Sequence, residues 1–149
     1  MTLMRLIYAS HPFGFDDLAL SSILATAQRN NLRDGITGTL ICREDLYMQL
    51  LEGDRPAVEA AFDRIRRDDR HTDIVPLVQE MTSQRLFPNW AMRHDPAKSW
   101  MWTREQVSEG CVEQATREEV LAMFVRLVAE PPGHLSGAPR SGCPMSRTS

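Results

Sequence analysis

Two side chains draw notice for the chemistry they could do where they lie. Tyr8 falls in a row with Met4 and Leu6 in the run LMRLIYAS, and Gln49 falls in a row with Tyr47 and Leu51 in LYMQLLE. Both runs alternate with period two, and LYMQLLE is apolar on both faces, so its strand reads as central and Gln49 as buried. A buried amide has two donors and acceptor capacity to satisfy, and a phenol has one donor. An unpaired buried group costs about 1–3 kcal/mol. On neighbouring strands, Tyr8 and Gln49 could meet and pair with each other. Paired separately to backbone or water, they would be ordinary satisfied core groups.

Other polar residues carry two readings as well. Asn30 and Asn31 follow an amphipathic run. They read as a helix stop, because Asn tolerates left-handed backbone, or as amides able to meet a polar ring edge. Asp68, Asp69, Arg70 and His71 form a charge run that reads as a solvated loop. Trp90 and Met92 share a face of a short stretch and, on composition, are packing residues. No Ser-His-Asp spacing, HExxH or glycine-rich phosphate loop occurs. His11, His71, His94 and His134 are scattered, and Lys98 is the one lysine among 17 basic residues. Cys42, Cys111 and Cys143 are odd in number and far apart, which suggests neither a disulfide framework nor a zinc site and fits a reducing cytoplasm.

The elements that must position these residues follow from periodicity. Residues 3–10 read as a strand. Residues 17–29 place Leu20, Ile23, Leu24 and Ala27 at helical spacing, ended by Asn30, Asn31, Asp34 and Gly35. Residues 36–43 and 46–52 read as a hairpin joined at Glu44-Asp45. Asp54 is placed to cap a second helix with Pro56 in its first turn, and Val58, Ala61, Phe62 and Ile65 form its stripe to about Arg67. Residues 74–82 read as a strand and 90–94 as a short last one. The order β-α-β-β-α-β-β is the split βαβ, ferredoxin-like order plus one strand. It predicts an α+β sandwich of a five-stranded mixed sheet with two helices on one face. Strands 1 and 3 are adjacent and central in that arrangement, so Tyr8 and Gln49 could meet beneath the helices.

Beyond residue 95 the pattern changes. Thr103-x-x-Gln106 and Thr116-x-x-Glu119 are capping-box spacings, and Val120, Leu121, Phe124, Leu127 and Val128 follow the second. This predicts a helical appendix over 96–130, whose apolar residues would cover the far sheet face or form a dimer seam. Residues 131–149 are rich in Pro, Gly and Ser and are expected to be a disordered tail. The chain has 149 residues, 42% of them hydrophobic and 25% charged, which suits one domain with its own core. A net charge of −3 gives no electrostatic case for nucleic acid or an anionic membrane. No apolar run approaches the roughly 18–20 residues a membrane helix needs. A small-molecule pocket between helices and sheet is the default reading.

LIYAS with Tyr8 and Ser10, QRNNLRDGITGTL, YMQLLEG with Gln49, RIRRDDRH, and FPNWAM with Trp90 and Met92 occur in that order. Together they resemble the BLUF domain, the blue-light sensor using FAD, in its short, stand-alone bacterial type. The combination is highly specific, and no single piece would be. The resemblance implies a photosensor domain over residues 1–95, with FAD between the two helices and its ring toward the sheet. Tyr8 and Gln49 would be the photoactive pair. Light would drive electron and proton transfer from Tyr8 and leave altered hydrogen bonds around Gln49, by rotation or tautomerisation of its side chain. Asn31, with Asn30 beside it, would meet the ring's polar edge, and Ile23 and Ile65 would flank the ring, as stiff β-branched side chains can. Asp68, Arg70 and His71 would lie near the ribityl and phosphate end or the ring edge. Ser10, Trp90 and Met92 would carry the signal through the last strand.

The same resemblance implies a cytoplasmic, non-enzymatic photoreceptor that signals by contact, with no attached output enzyme. Its expected partners are FAD, an unidentified downstream protein and further copies of itself in a homodimer or higher oligomer, with no direct nucleic acid and no membrane. Two other functions compete. A flavin-dependent redox enzyme would oxidise NAD(P)H steadily in the dark. A flavin-free ligand-binding module of the same fold would purify colourless.

Overall fold

The computed structural model describes residues 3–12, 17–67 and 71–130. Its elements run β1 (Leu3–Pro12), α1 (Asp17–Asp34), β2 (Thr37–Arg43), β3 (Leu46–Gly53), α2 (Arg55–Arg66), β4 (His71–Thr82), β5 (Arg93–Pro96), α3 (Arg104–Ser108) and α4 (Arg117–Val128). The strands form one mixed sheet in the order β4-β1-β3-β2-β5. β1 pairs antiparallel with β3 and with β4, β2 pairs antiparallel with β3, and β5 runs parallel to β2. The expected ferredoxin-like sandwich is therefore present, with the extra strand on the β2 edge.

Strand alternation divides the core in two. On one face, Met4, Leu6 and Tyr8 of β1 and Tyr47 and Leu51 of β3 pack with Leu20, Ile23 and Leu24 of α1 and Val58, Ala61 and Phe62 of α2. On the other, Ile7, Ala9, Ile41, Met48 and Leu50 pack with Val107, Val120, Phe124 and Leu127. The apolar stripe of α4 thus covers the far sheet face of its own chain. β3 is buried along its whole length because both faces are covered and a strand lies on each side. Capping boxes at Thr103/Gln106 and Thr116/Glu119 start α3 and α4, as the spacing predicts.

Several boundaries depart from the sequence reading: β1 runs on to Pro12, and β4 begins at His71, so the end of the charge run read as a loop is in the strand. α1 continues through Asn30 and Asn31 to Asp34. Its stop is Gly35, which takes a left-handed φ of 71°, with the Ile36 N–H on the Asn31 carbonyl at 2.9 Å. That is the Schellman arrangement, which needs a residue without a Cβ penalty. Asp54 occupies the cap position of α2 but makes no side-chain cap bond; its carbonyl takes the Val58 N–H at 3.0 Å. The last strand begins at Arg93, so Trp90 and Met92 precede it instead of sharing its face. Residues 90–92 spend their carbonyls on α1 and β2 before the parallel ladder starts.

One glycine is required by close approach. A Cβ on Gly38 would stand 1.8 Å from the Leu50 carbonyl oxygen of β3. Only hydrogen fits there, which lets β2 reach Trp90, whose carbonyl accepts the Gly38 N–H at 3.0 Å.

Candidate functional site

Tyr8 and Gln49 are direct cross-strand partners of β1 and β3. The Tyr8 hydroxyl donates to Gln49 Oε1 within the helix-side core. The Tyr8 ring stands 5.5 Å from the Phe62 ring of α2, tilted by 44°. Gln49, 3% exposed, donates from Nε2 to the Met92 sulfur at 3.4 Å. A thioether is a weak acceptor. The amide therefore has a firm partner on its oxygen and a soft one on its nitrogen.

The segment carrying Met92 is held by main-chain acceptors. Asn31, also 3% exposed, donates from Nδ2 to the Ala91 carbonyl at 2.9 Å. Gln28 donates from Nε2 to the Met92 carbonyl at 3.1 Å. Asn31 lies inside α1 because these tertiary bonds, with the Gly35 stop, outweigh its local preference for a helix end. Gln28 was not singled out from the sequence. Its spacing of three residues before Asn31 puts both amides on one helix face, a signal hidden when the helix is ended at residue 29.

The other expected residues fall as follows. Ile23 of α1 is buried in the helix-side core, and Ile65 of α2 packs on it half-buried. Asn30 is half-buried beside Asn31. Ser10 is buried on β1 opposite Tyr47. Trp90 is 41% exposed, so of the pair Trp90 and Met92 it is Met92 that contacts Gln49. Asp68 and Arg70 lie outside the described residues; His71 starts β4, and its side chain is likewise outside them. Among the described residues no group of three metal-ligating side chains converges, and no helix is long and apolar enough to cross a membrane.

The donor set suits a flat, polar-edged heterocycle. Two amides, Gln49 and Asn31, and one phenol, Tyr8, open from the sheet and α1 onto an apolar surface of Ile23, Leu24, Phe62 and Ile65. Gln49 Nε2, resting on sulfur, has capacity for a better acceptor such as a ring nitrogen or carbonyl. The Tyr8 hydroxyl and Met92 sulfur on Gln49 and the Ala91 carbonyl on Asn31 are neutral, so hydrogen bonding rather than net charge would orient the ring.

The family model for sensors of blue light using FAD matches residues 3–93. Photoactivated adenylate cyclase subunit beta from Euglena gracilis is 38% identical over 92 residues, covering 61% of this chain and 10% of that protein. The chain thus spans about a tenth of the length of the curated relatives it matches. The dark-state structure of the BLUF protein BlrB superposes with a TM-score of 0.72 at 29% identity, covering 85% of this chain and 96% of that one. The photo-activated state of BlsA superposes with a TM-score of 0.74 at 26% identity, covering 90% and 99%.

Proposed function

Because the chain belongs to the BLUF family, the sensors of blue light using FAD, we propose that its switch is the buried series Tyr8–Gln49–Met92. The observation that carries this reading is one amide that bonds a phenol through its oxygen and a thioether through its nitrogen. FAD, when bound, supplies the absorption of blue light and an excited state able to take an electron. Tyr8 is the neighbouring side chain with an electron and a proton to give, and its proton is held on Gln49 Oε1. When that proton leaves with the electron for the flavin, Oε1 loses its donor. The amide re-pairs by turning about its last torsion or by shifting a proton between oxygen and nitrogen. Either change alters what Nε2 offers to Met92. In low-dielectric surroundings, exchange of one bond has a large relative weight.

Asn31 would steady the polar edge of the ring, with Asn30 beside it, and Ile23 and Ile65 would hold its faces. Asp68, Arg70 and His71 would lie near the ribityl and phosphate end or the ring edge. Ser10, Trp90 and Met92 would pass the change to β5. We take residues 1–95 as the photosensor unit and 96–130 as its cap, acting in the cytoplasm by contact with a protein partner or further copies, with no turnover of its own.

The test is an absorbance spectrum of the FAD-loaded protein before and after blue light. A small reversible red shift is expected. A colourless protein that cannot be reconstituted with FAD would falsify the reading.

A further inference from the structure

Met92 and Arg93 are consecutive, and their side chains go to opposite sides of the sheet. Met92 lies in the helix-side core against Gln49. Arg93, 3% exposed, reaches the far side, where its Nη2 donates to the carbonyls of Leu127 at 3.1 Å and Glu130 at 2.5 Å. Leu127 is in the last turn of α4 and Glu130 follows its C-cap, Ala129; the Glu130 N–H also donates to the Leu127 carbonyl at 2.9 Å, so Arg93 joins the bonds that close this helix end. The guanidinium stands 5.6 Å over the Phe87 ring, and Phe87 meets Phe124 of α4 edge-on at 6.4 Å. Asp95, fully buried, supplies the counter-charge, with Oδ2 3.0 Å from Arg93 Nε. The Thr39 hydroxyl of β2, with one proton to give, lies 2.5 Å from that carboxylate and 3.1 Å from the Arg93 carbonyl.

We propose that Arg93 is the positioning residue that couples the Gln49–Met92 contact to the C-terminal end of α4; the proposal rests on the photosensor reading above. The peptide unit between residues 92 and 93 is planar, so a displacement of the Met92 carbonyl carries the Arg93 nitrogen with it. The guanidinium is a planar fork whose Nε is committed to Asp95 and whose Nη2 is committed to the Leu127 and Glu130 carbonyls, so it follows by loosening one of these bonds. The carbonyls are the neutral partners and yield first. Light therefore frees the end of α4, where the chain runs on beyond Glu130. Coupling is reciprocal: a weakened hold on α4 must also change the relative stability of the two states at Gln49. A clamp that only supports the fold would leave that balance alone.

The test uses the FAD-loaded full chain, the charge-conserving Arg93→Lys, and the double variant Arg93→Met with Asp95→Asn. The double variant removes both buried charges together and so avoids a lone one. Two quantities are read: backbone hydrogen exchange over residues 124–130 in the dark and under blue light, and the rate at which the absorbance shift decays in the dark. In the parent, blue light is expected to speed exchange over this segment by about fivefold or more. In the double variant the shift persists, exchange is equally fast in dark and light, and the decay rate differs from the parent by about fivefold. Arg93→Lys, which keeps the charge but loses the fork, falls between the two. A double variant that shifts, keeps the parental light response at 124–130 and decays at the parental rate would overturn the coupling. So would a parent that shifts with no change in exchange there. A parent that shows no blue-light shift at all overturns the photosensor reading itself, and this proposal with it.

Discussion

The Gln49 side-chain nitrogen donates to the Met92 sulfur at 3.4 Å, while its oxygen takes the Tyr8 hydroxyl. The stronger bond holds the amide in register with β1, and the weaker one touches the segment that leads into β5. An amide held unequally at its two ends is suited to reversal, because once Tyr8 gives up its proton only the weak bond to sulfur opposes the turn.

Tyr8→Phe removes the donor to Gln49 Oε1 and keeps the ring volume. The variant is expected to bind FAD and show no reversible shift, with a stability loss of about 1–3 kcal/mol for the unpaired buried oxygen. Gln49→Leu should likewise keep the cofactor and lose the shift. Difference spectra under blue light and denaturant titrations measure both; equal photocycling of Tyr8→Phe and the parent removes Tyr8 from the mechanism.

Trp90 is 41% exposed, whereas Phe124 is fully buried against Phe87. Trp90→Ala is expected to cost less than about 1 kcal/mol, in the range of half-exposed surface changes. Phe124→Ala should cost about 3–5 kcal/mol through the cavity it leaves. The shift should survive in Trp90→Ala with an altered dark recovery. Unchanged recovery and unchanged partner binding would count against a signalling role for Trp90.

Gly38→Ala places a methyl group on the backbone oxygen of Leu50, and backbone cannot step aside as a flexible side chain can. A loss of about 3 kcal/mol is expected from the forced separation of β2 and β3. The same change should disturb the 90–92 segment, whose Trp90 carbonyl takes the Gly38 N–H. Thermal unfolding and the FAD absorption spectrum read the two effects. A variant as stable as the parent would show that the strands can part without cost.

Glu80 joins β4 to Arg5 of β1 at 3.1 Å and to Arg117 of α4 at 2.5 Å. Burial alone would raise its carboxyl, but hydrogen bonds and charge from Arg117 and Arg5 outweigh that and hold it below the usual carboxylate range. The folded state thus binds this proton less readily than the unfolded chain does. Its contribution is present above the ordinary Glu value and is lost as pH falls through the lowered one. The parent's advantage over Glu80→Gln should accordingly be largest near neutrality, below about 1 kcal/mol for a partly exposed pair, and vanish in acid. Denaturant titrations from neutral pH down to about pH 3 test it, since that span brackets the ordinary carboxylate range; an advantage that grows toward acid would contradict the assignment.

Much of the site was legible because strands alternate strictly. Tyr8 with Met4 and Leu6, and Gln49 with Tyr47 and Leu51, could be put on one face from period two alone, and the β-α-β-β-α-β-β order made their strands neighbours. Asn31 was harder. Its type signals a helix end, and only the bond to the Ala91 carbonyl and the left-handed Gly35 place it within α1. Trp90 and Met92 looked alike in FPNWAM, yet one is half-exposed and the other is against Gln49, because residues 90–92 bond to α1 and β2 before the β5 ladder begins.

The sequence by itself determined the order of elements, the two apolar faces of the sheet and the placing of a phenol and an amide on neighbouring central strands. These depend on periodicities of two and 3.6 residues, which local backbone geometry imposes. The tertiary structure alone decided that α4 closes the far face, that Met92 and not Trp90 meets Gln49, and that Arg93 spans from β5 to the Leu127 and Glu130 carbonyls. Each joins residues at least 34 positions apart. Such contacts depend on how whole elements pack, a geometry that local periodicity does not encode.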